Sequence, residues 1–303
     1  MAALRLVALI LLGTASLHGQ AEWPRPNWEK VEPTGCRGSG KVTSSTVGKY
    51  EVKIVPGSDA SGDSVCRAYL VDRARKQLFL LEDSAVSIHQ GTDNDIFRDG
   101  SPSLILEGFS GGAHCCYIYR IVNLSEPPVI LSPIENQTPF FFFKDAASGQ
   151  FRIMTSDGAF DTFDGLCHAC TPFPRVVLRV DSAGLHDVSA QFVEQYDSEI
   201  ALARAKIGNG DIAKFLAADF QDAKAVVLEI ALAYLYSGRE TQAWQTLDEM
   251  WPAADRERIR KLIIKTRAQG ILSKLGAVKA AGSEDSSAKP VLGVHWSAFH
   301  HYN

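Results

Sequence analysis

No stretch of this 303-residue chain is apolar for the ~20 residues that a helix needs to cross a bilayer. Even the apolar segment Pro139 to Phe143 ends at once on Lys144 and Asp145. Basic clusters are lacking too: 31 Lys and Arg stand against 35 Asp and Glu, a formal charge of −4. A mildly acidic chain without a basic face gives no reason to expect nucleic acid or an anionic membrane as partner. Common catalytic signatures are missing as well. There is no Gly-x-Ser-x-Gly elbow, no His-Glu-x-x-His helix and no phosphate loop. Ser110-Gly111-Gly112 lacks the strand-to-helix context that presents a nucleophilic serine. These absences turn the expectation away from catalysis.

What the chain does carry, at its start, is the three-part layout of a secretory signal. Arg5 precedes the apolar run Leu6 to Leu12, and Gly19-Gln20-Ala21 offers small residues at the cleavage positions. Residues 1–21 are therefore expected to direct export, to a periplasmic or secreted location, leaving a mature chain with no transmembrane segment. No cysteine follows the signal where a lipid would be attached.

All six cysteines, Cys36, Cys66, Cys115, Cys116, Cys167 and Cys170, lie after the signal. An even count in an exported chain points to disulfides, and spacing alone does not choose among the pairings. Position favours Cys36 with Cys66, which flank the first strand-like region.

The fold class expected is α+β. Residues 22–41, rich in Pro and Gly, read as an N-terminal arm, with Trp23 and Trp28 as anchors. Residues 42–190 read as a β-rich domain. Tyr50 to Ile54 alternates apolar and polar, and further strands are expected at Ala68–Val71, Gln77–Leu81, Ser103–Glu107, Tyr117–Val122, Pro139–Phe143, Phe151–Thr155 and Val176–Val180. Short strands separated by turn residues suit a sandwich, an open barrel or a partial propeller. From Gln191 the period lengthens: Phe192, Tyr196, Ile200, Ala203 and Ile207 mark one helix face, and Asp211 is a candidate cap for the next helix. Residues 191–275 read as a small all-α domain and 276–303 as a flexible tail.

Two segments carry resemblances. Val227, Ile230, Ala231, Tyr234, Gly238, Ala243 and Leu247 are spaced as in a tetratricopeptide repeat, which implies a pair of antiparallel helices. A single copy is visible, so a plain hairpin packed on the β domain explains it as well as a peptide-binding array. The other segment is the run Asp95-Ile96-Phe97-Arg98-Asp99-Gly100-Ser101-Pro102, followed by a strand and Ser110-Gly111-Gly112-Ala113-His114-Cys115-Cys116. It resembles a segment of uncharacterised exported bacterial proteins. Its first half is similar to the acidic loop of FG-GAP propeller repeats, which implies calcium held by Asp95 and Asp99. Phe97 and Ser103 occupy two of the ligand positions, however, and calcium wants 6–8 oxygens.

His114-Cys115-Cys116 and Cys167-His168-Ala169-Cys170 admit a structural reading, with four sulfurs in two disulfides. They also admit a zinc or copper site built from His114, Cys115, Cys167 and Cys170, and a thiol-exchange reading, which lacks the usual helix after the Cys-x-x-Cys. Asp157, Asp161 and Asp164 lie close in sequence, and paired carboxylates can serve as acid and base in glycoside cleavage. The favoured expectation is a noncatalytic binding or envelope-associated module for a protein, peptide or glycan, with no cofactor. The alternative is a metal-binding or hydrolytic enzyme centred on His114, the two cysteine clusters and Asp161.

Overall fold

The computed structural model describes residues 21–24, 34–37, 40–111, 116–207 and 220–275. His114, Cys115, Trp28, Asp211, the tail 276–303 and the expected signal up to residue 20 lie outside these described residues.

Alternation along the chain builds the first sheet. It is a meander of β2 (Thr43–Val47), β3 (Tyr50–Ser58), β4 (Ser64–Val71) and β5 (Gln77–Asp83), each antiparallel to the next. Tyr50, Val52 and Ile54 of β3 and Cys66, Ala68 and Leu70 of β4 share its buried face, as a period of two requires.

That face packs on a second sheet, ordered β1 (Thr34–Arg37), β6 (Ala85–Ile88), β7 (Ser103–Phe109), β8 (Tyr117–Asn123), β10 (Ile134–Asn136), with β9 (Val129–Ile130) also on β8. In β7, Leu104 and Leu106 belong to the cluster shared with the first sheet, while Ile105 belongs to a second cluster. A strand covered on both faces needs an unbroken apolar run, which is why Ser103 to Leu106 does not alternate. Thr34–Arg37 lies inside the stretch read as an arm; the arm contributes an edge strand. Cys36 on β1 is bonded to Cys66 on β4, with Cα atoms 6.1 Å apart, stitching the two sheets together as position suggested.

The third sheet, β11 (Phe141–Lys144), β12 (Phe151–Ser156), β13 (Arg175–Asp181) and β14 (Gly184–Asp187), is again a meander. Arg152 to Thr155 and Val176 to Leu178 are all buried, so it too is covered on both faces. One apolar cluster runs from Ile105 and Tyr119 of the second sheet through Ile153 and Leu178 to the helices. These are α1 (Val193–Lys206), α2 (Phe220–Tyr236), α3 (Glu240–Met250), α4 (Arg256–Arg267) and the single turn α5 (Ile271–Lys274). The order is thus α+β, sheets first and helices after. Tyr196, Ile200 and Ala203 form the buried stripe of α1, on the expected spacing. Trp23 packs edge-on to Tyr196, ring centroids 5.0 Å apart, and so does anchor the chain ahead of the first strand.

The helices α2 and α3 form the expected hairpin. Gly238 does more there than allow close approach. The Arg239 N–H donates to Tyr234 O at 2.9 Å and the Gly238 N–H to Leu235 O at 3.3 Å, with Gly238 at φ 80°. This is the glycine-closed helix end in which a left-handed residue satisfies the last carbonyls. Gly238→Ala places a side chain in that conformation, and about 1 kcal/mol of destabilisation is expected in urea denaturation.

Candidate binding cleft

The segment joining β12 to β13 positions the site. It crosses from Ser156 to Arg175 through three single 3-10 turns, at Gly158–Phe160, Phe163–Gly165 and His168–Cys170. Buried Phe160, Phe163 and Leu166 pin it to the core. The three acids that sequence grouped together are separated by this path, each with its own partner.

Asp157 is fully buried. Tyr236 Oη donates to its Oδ2 at 2.6 Å, while the N–H groups of Ala159 and Ile271 donate to Oδ1 at 3.1 and 3.3 Å. Burial raises its carboxyl above the usual range, with those hydrogen bonds opposing. Gly270 lies so close that a Cβ there would fall 2.0 Å from Oδ2, which explains a glycine at the entrance to α5. Asp164 is clamped by Arg258 in a two-pronged contact at 2.6 and 3.0 Å and by Lys224 at 2.6 Å. The Arg258 hydrogen bonds, followed by those of Lys224, hold its carboxyl below the usual range. Asp161 meets His168, with Nδ1 to Oδ1 at 2.7 Å. Sequence reasoning missed that pairing, because nothing in the seven-residue spacing signals that a 3-10 turn folds His168 back.

Cys167 and Cys170 are bonded to each other, S–S 2.07 Å, at the tip of this segment. In that form they offer no thiolate to zinc or copper. Cys116 is disulfide-bonded as well. Among the described residues no three His, Cys, Asp or Glu side chains are grouped to hold a metal ion. In the acidic loop, the Asp95 carboxylate accepts from the N–H groups of Arg98, Asp99 and Gly100 at 2.6, 3.1 and 3.0 Å. Asp99 is engaged by Asn123 and by the Ser101 N–H, and Phe97 is turned into the core. Both carboxylates are thus engaged in hydrogen bonds, Asp95 within its own turn and Asp99 with the turn and with Asn123 of β8.

After the disulfide, Thr171-Pro172-Phe173-Pro174 leads into β13 with two prolines fixing φ. This stretch and the helices α1 and α2 enclose a cleft of about 790 Å³. One wall carries Ala169, Cys170, Pro172 and Phe173 and the other Ala225, Val226, Leu232 and Ala233, with Ser156, Thr171 and four charged side chains between them. Charge enters the lining as ion pairs, Arg175 with Glu199 and Lys206 with Glu229 at 2.7 Å. The Arg175 guanidinium also lies 5.5 Å from the Trp23 ring centre. Burial raises the Glu199 carboxyl above its usual range, against the pull of Arg175. Sequence reasoning singled out Cys170 on one wall but not this cleft, since its lining comes from three separate segments of the chain.

No helix among the described residues is long and apolar enough to cross a membrane. No family model, no curated protein and no solved structure matches this chain.

Proposed function

We propose that this is an exported, noncatalytic binding module whose ligand is a peptide segment held in the cleft between the Cys170–Pro174 wall and helices α1 and α2. The cleft itself carries the reading: its volume lies in the ~300–1,000 Å³ range of ligand sites, and its lining sets charged and polar groups beside apolar side chains. Its lining favours a peptide over a glycan. Pro172, Phe173 and the aliphatic residues of α2 suit apolar side chains, while the ion pairs at Arg175–Glu199 and Lys206–Glu229 present both signs of charge to backbone groups and termini. One wall is α2, the first helix of the hairpin that resembles a tetratricopeptide unit. The disulfides suit an oxidising compartment, in line with the signal-like N-terminus.

A second reading, a hydrolytic enzyme, draws on the His168–Asp161 hydrogen bond. A general base of that kind needs a nucleophile or a positioned water. The nearby Thr171 hydroxyl is occupied, donating to Cys167 O at 3.0 Å, which weighs against it.

Selection of displayed peptides on the full exported chain tests the proposal. Peptides so selected are expected to bind Ala225→Arg, whose side chain fills the cleft, at least tenfold more weakly, with an unchanged melting temperature. Equal binding to both proteins would remove the cleft from the account.

A further inference from the structure

The two disulfides with both cysteines among the described residues differ in what bears on reactivity. Cys36–Cys66 is buried, its cysteines 6 % and 0 % exposed, and links residues 30 apart. Cys167–Cys170 is exposed at both cysteines, links residues three apart, and borders the cleft at Cys170. Loop-closure entropy grows with loop length, so the short link contributes the smaller share of chain restriction. Its turn is also held without it. The N–H groups of Cys170 and Thr171 donate to Cys167 O at 2.9 and 3.0 Å, and buried Leu166 and Thr171 bracket the turn. An exposed bond that shapes little is the kind used for exchange rather than for stability.

Resting on the cleft as the ligand site, we propose that Cys167–Cys170 is a reactive disulfide that captures a cysteine-bearing peptide lying there. The ligand thiolate attacks Sγ of Cys170, the sulfur on the cleft side. A bond forms between the ligand sulfur and Cys170 Sγ as the Cys167–Cys170 bond breaks, and Cys167 Sγ departs with the electron pair and takes up a proton. The ligand thiol is oxidised to a mixed disulfide and Cys167 is reduced, so the exchange needs no further oxidant. Attack by Cys167 on the mixed disulfide reverses it and releases the ligand.

The probes are reduced glutathione, a blocked hexapeptide of Leu, Phe and Pro with one cysteine, and its serine analogue. The full exported chain is incubated with each, quenched in acid, alkylated and mapped by mass spectrometry. The cysteine peptide is expected to form an adduct on Cys170 at least tenfold faster than glutathione does, with Cys36–Cys66 intact, and Ala225→Arg is expected to remove that advantage. An adduct on Cys167 or Cys116 instead, equal rates for peptide and glutathione, or reduction no faster than that of Cys36–Cys66 would overturn the proposal. If the serine analogue binds the cleft and no adduct forms, covalent capture fails while the cleft reading stands. If neither peptide binds, the cleft reading fails and takes the capture with it.

Discussion

Asp157→Ala is expected to destabilise the folded chain by about 3–5 kcal/mol, the cost of stranding three buried donors on one lost acceptor. Those donors are Tyr236 Oη and the N–H groups of Ala159 and Ile271, and they belong to three different elements: α2, the first 3-10 turn and α5. Asp157 itself is fully buried, so water has no route to replace it. For a domain of this size the melting temperature falls by roughly 10 °C or more. Asp157→Asn is the control. Its oxygen can still accept from the two N–H groups, and its amide can donate to the Tyr236 oxygen, so a loss within about 1.5 kcal/mol is expected. The two variants together separate the hydrogen-bonding role from the charge. The carboxyl is raised by burial above its usual value of 3.8, so the folded state keeps its proton to higher pH than the unfolded chain does. Folding then takes up a proton in that window. The stability of wild type relative to Asp157→Asn is therefore greatest below the unfolded value and declines as pH rises through the folded one. Thermal melts of the three proteins from pH 3 to pH 8 measure all of this. A flat difference with pH would show that the carboxyl is not perturbed, and a mild Ala variant would show that the site is wet.

Removing the buried disulfide by Cys36→Ala with Cys66→Ala is expected to cost about 3–4 kcal/mol, the chain entropy of a loop of this length. The bond joins β1 to β4 across two sheets whose shared cluster contains both sulfurs. Its loss frees the edge strand and removes packing volume together. Denaturant unfolding should move to a lower midpoint, with a slope that rises as the unlinked unfolded chain exposes more surface. A loss under 1 kcal/mol would mean that the strand is held by its pairing with β6 alone. Cys167→Ala with Cys170→Ala is the natural comparison and should cost distinctly less.

Long strands with a clear pattern were legible. Tyr50 to Ile54 alternates because one face is wet, and Ser103 to Leu106 runs unbroken because β7 lies between two layers. The strands that sequence did not mark, β1, β2, β6, β9, β10 and β14, have two to five residues, too few for a period to show clearly. The helix of residues 193–206 was visible through Tyr196, Ile200 and Ala203, since a buried stripe repeats. The site was legible only in pieces. Cys167, Cys170 and Asp161 stood out by residue type, but their partners were set by turns. A left-handed residue at Asp164, φ 51°, steers its carboxylate toward Lys224 and Arg258, 60 and 94 residues away in sequence. Grouping Asp157, Asp161 and Asp164 by proximity along the chain suggested paired carboxylates; the backbone gives each a separate partner. The cleft had no local signature, because α1 and α2 supply its far wall.

Amide hydrogen exchange of the full chain, with and without a peptide selected on it, tests the cleft most directly. The account predicts slowed exchange in residues 169–175, along 225–233 of α2 and near Glu199 to Lys206 of α1. Protection confined to another surface would contradict it, above all at the edge strand β5, where Leu78 and Phe79 are exposed.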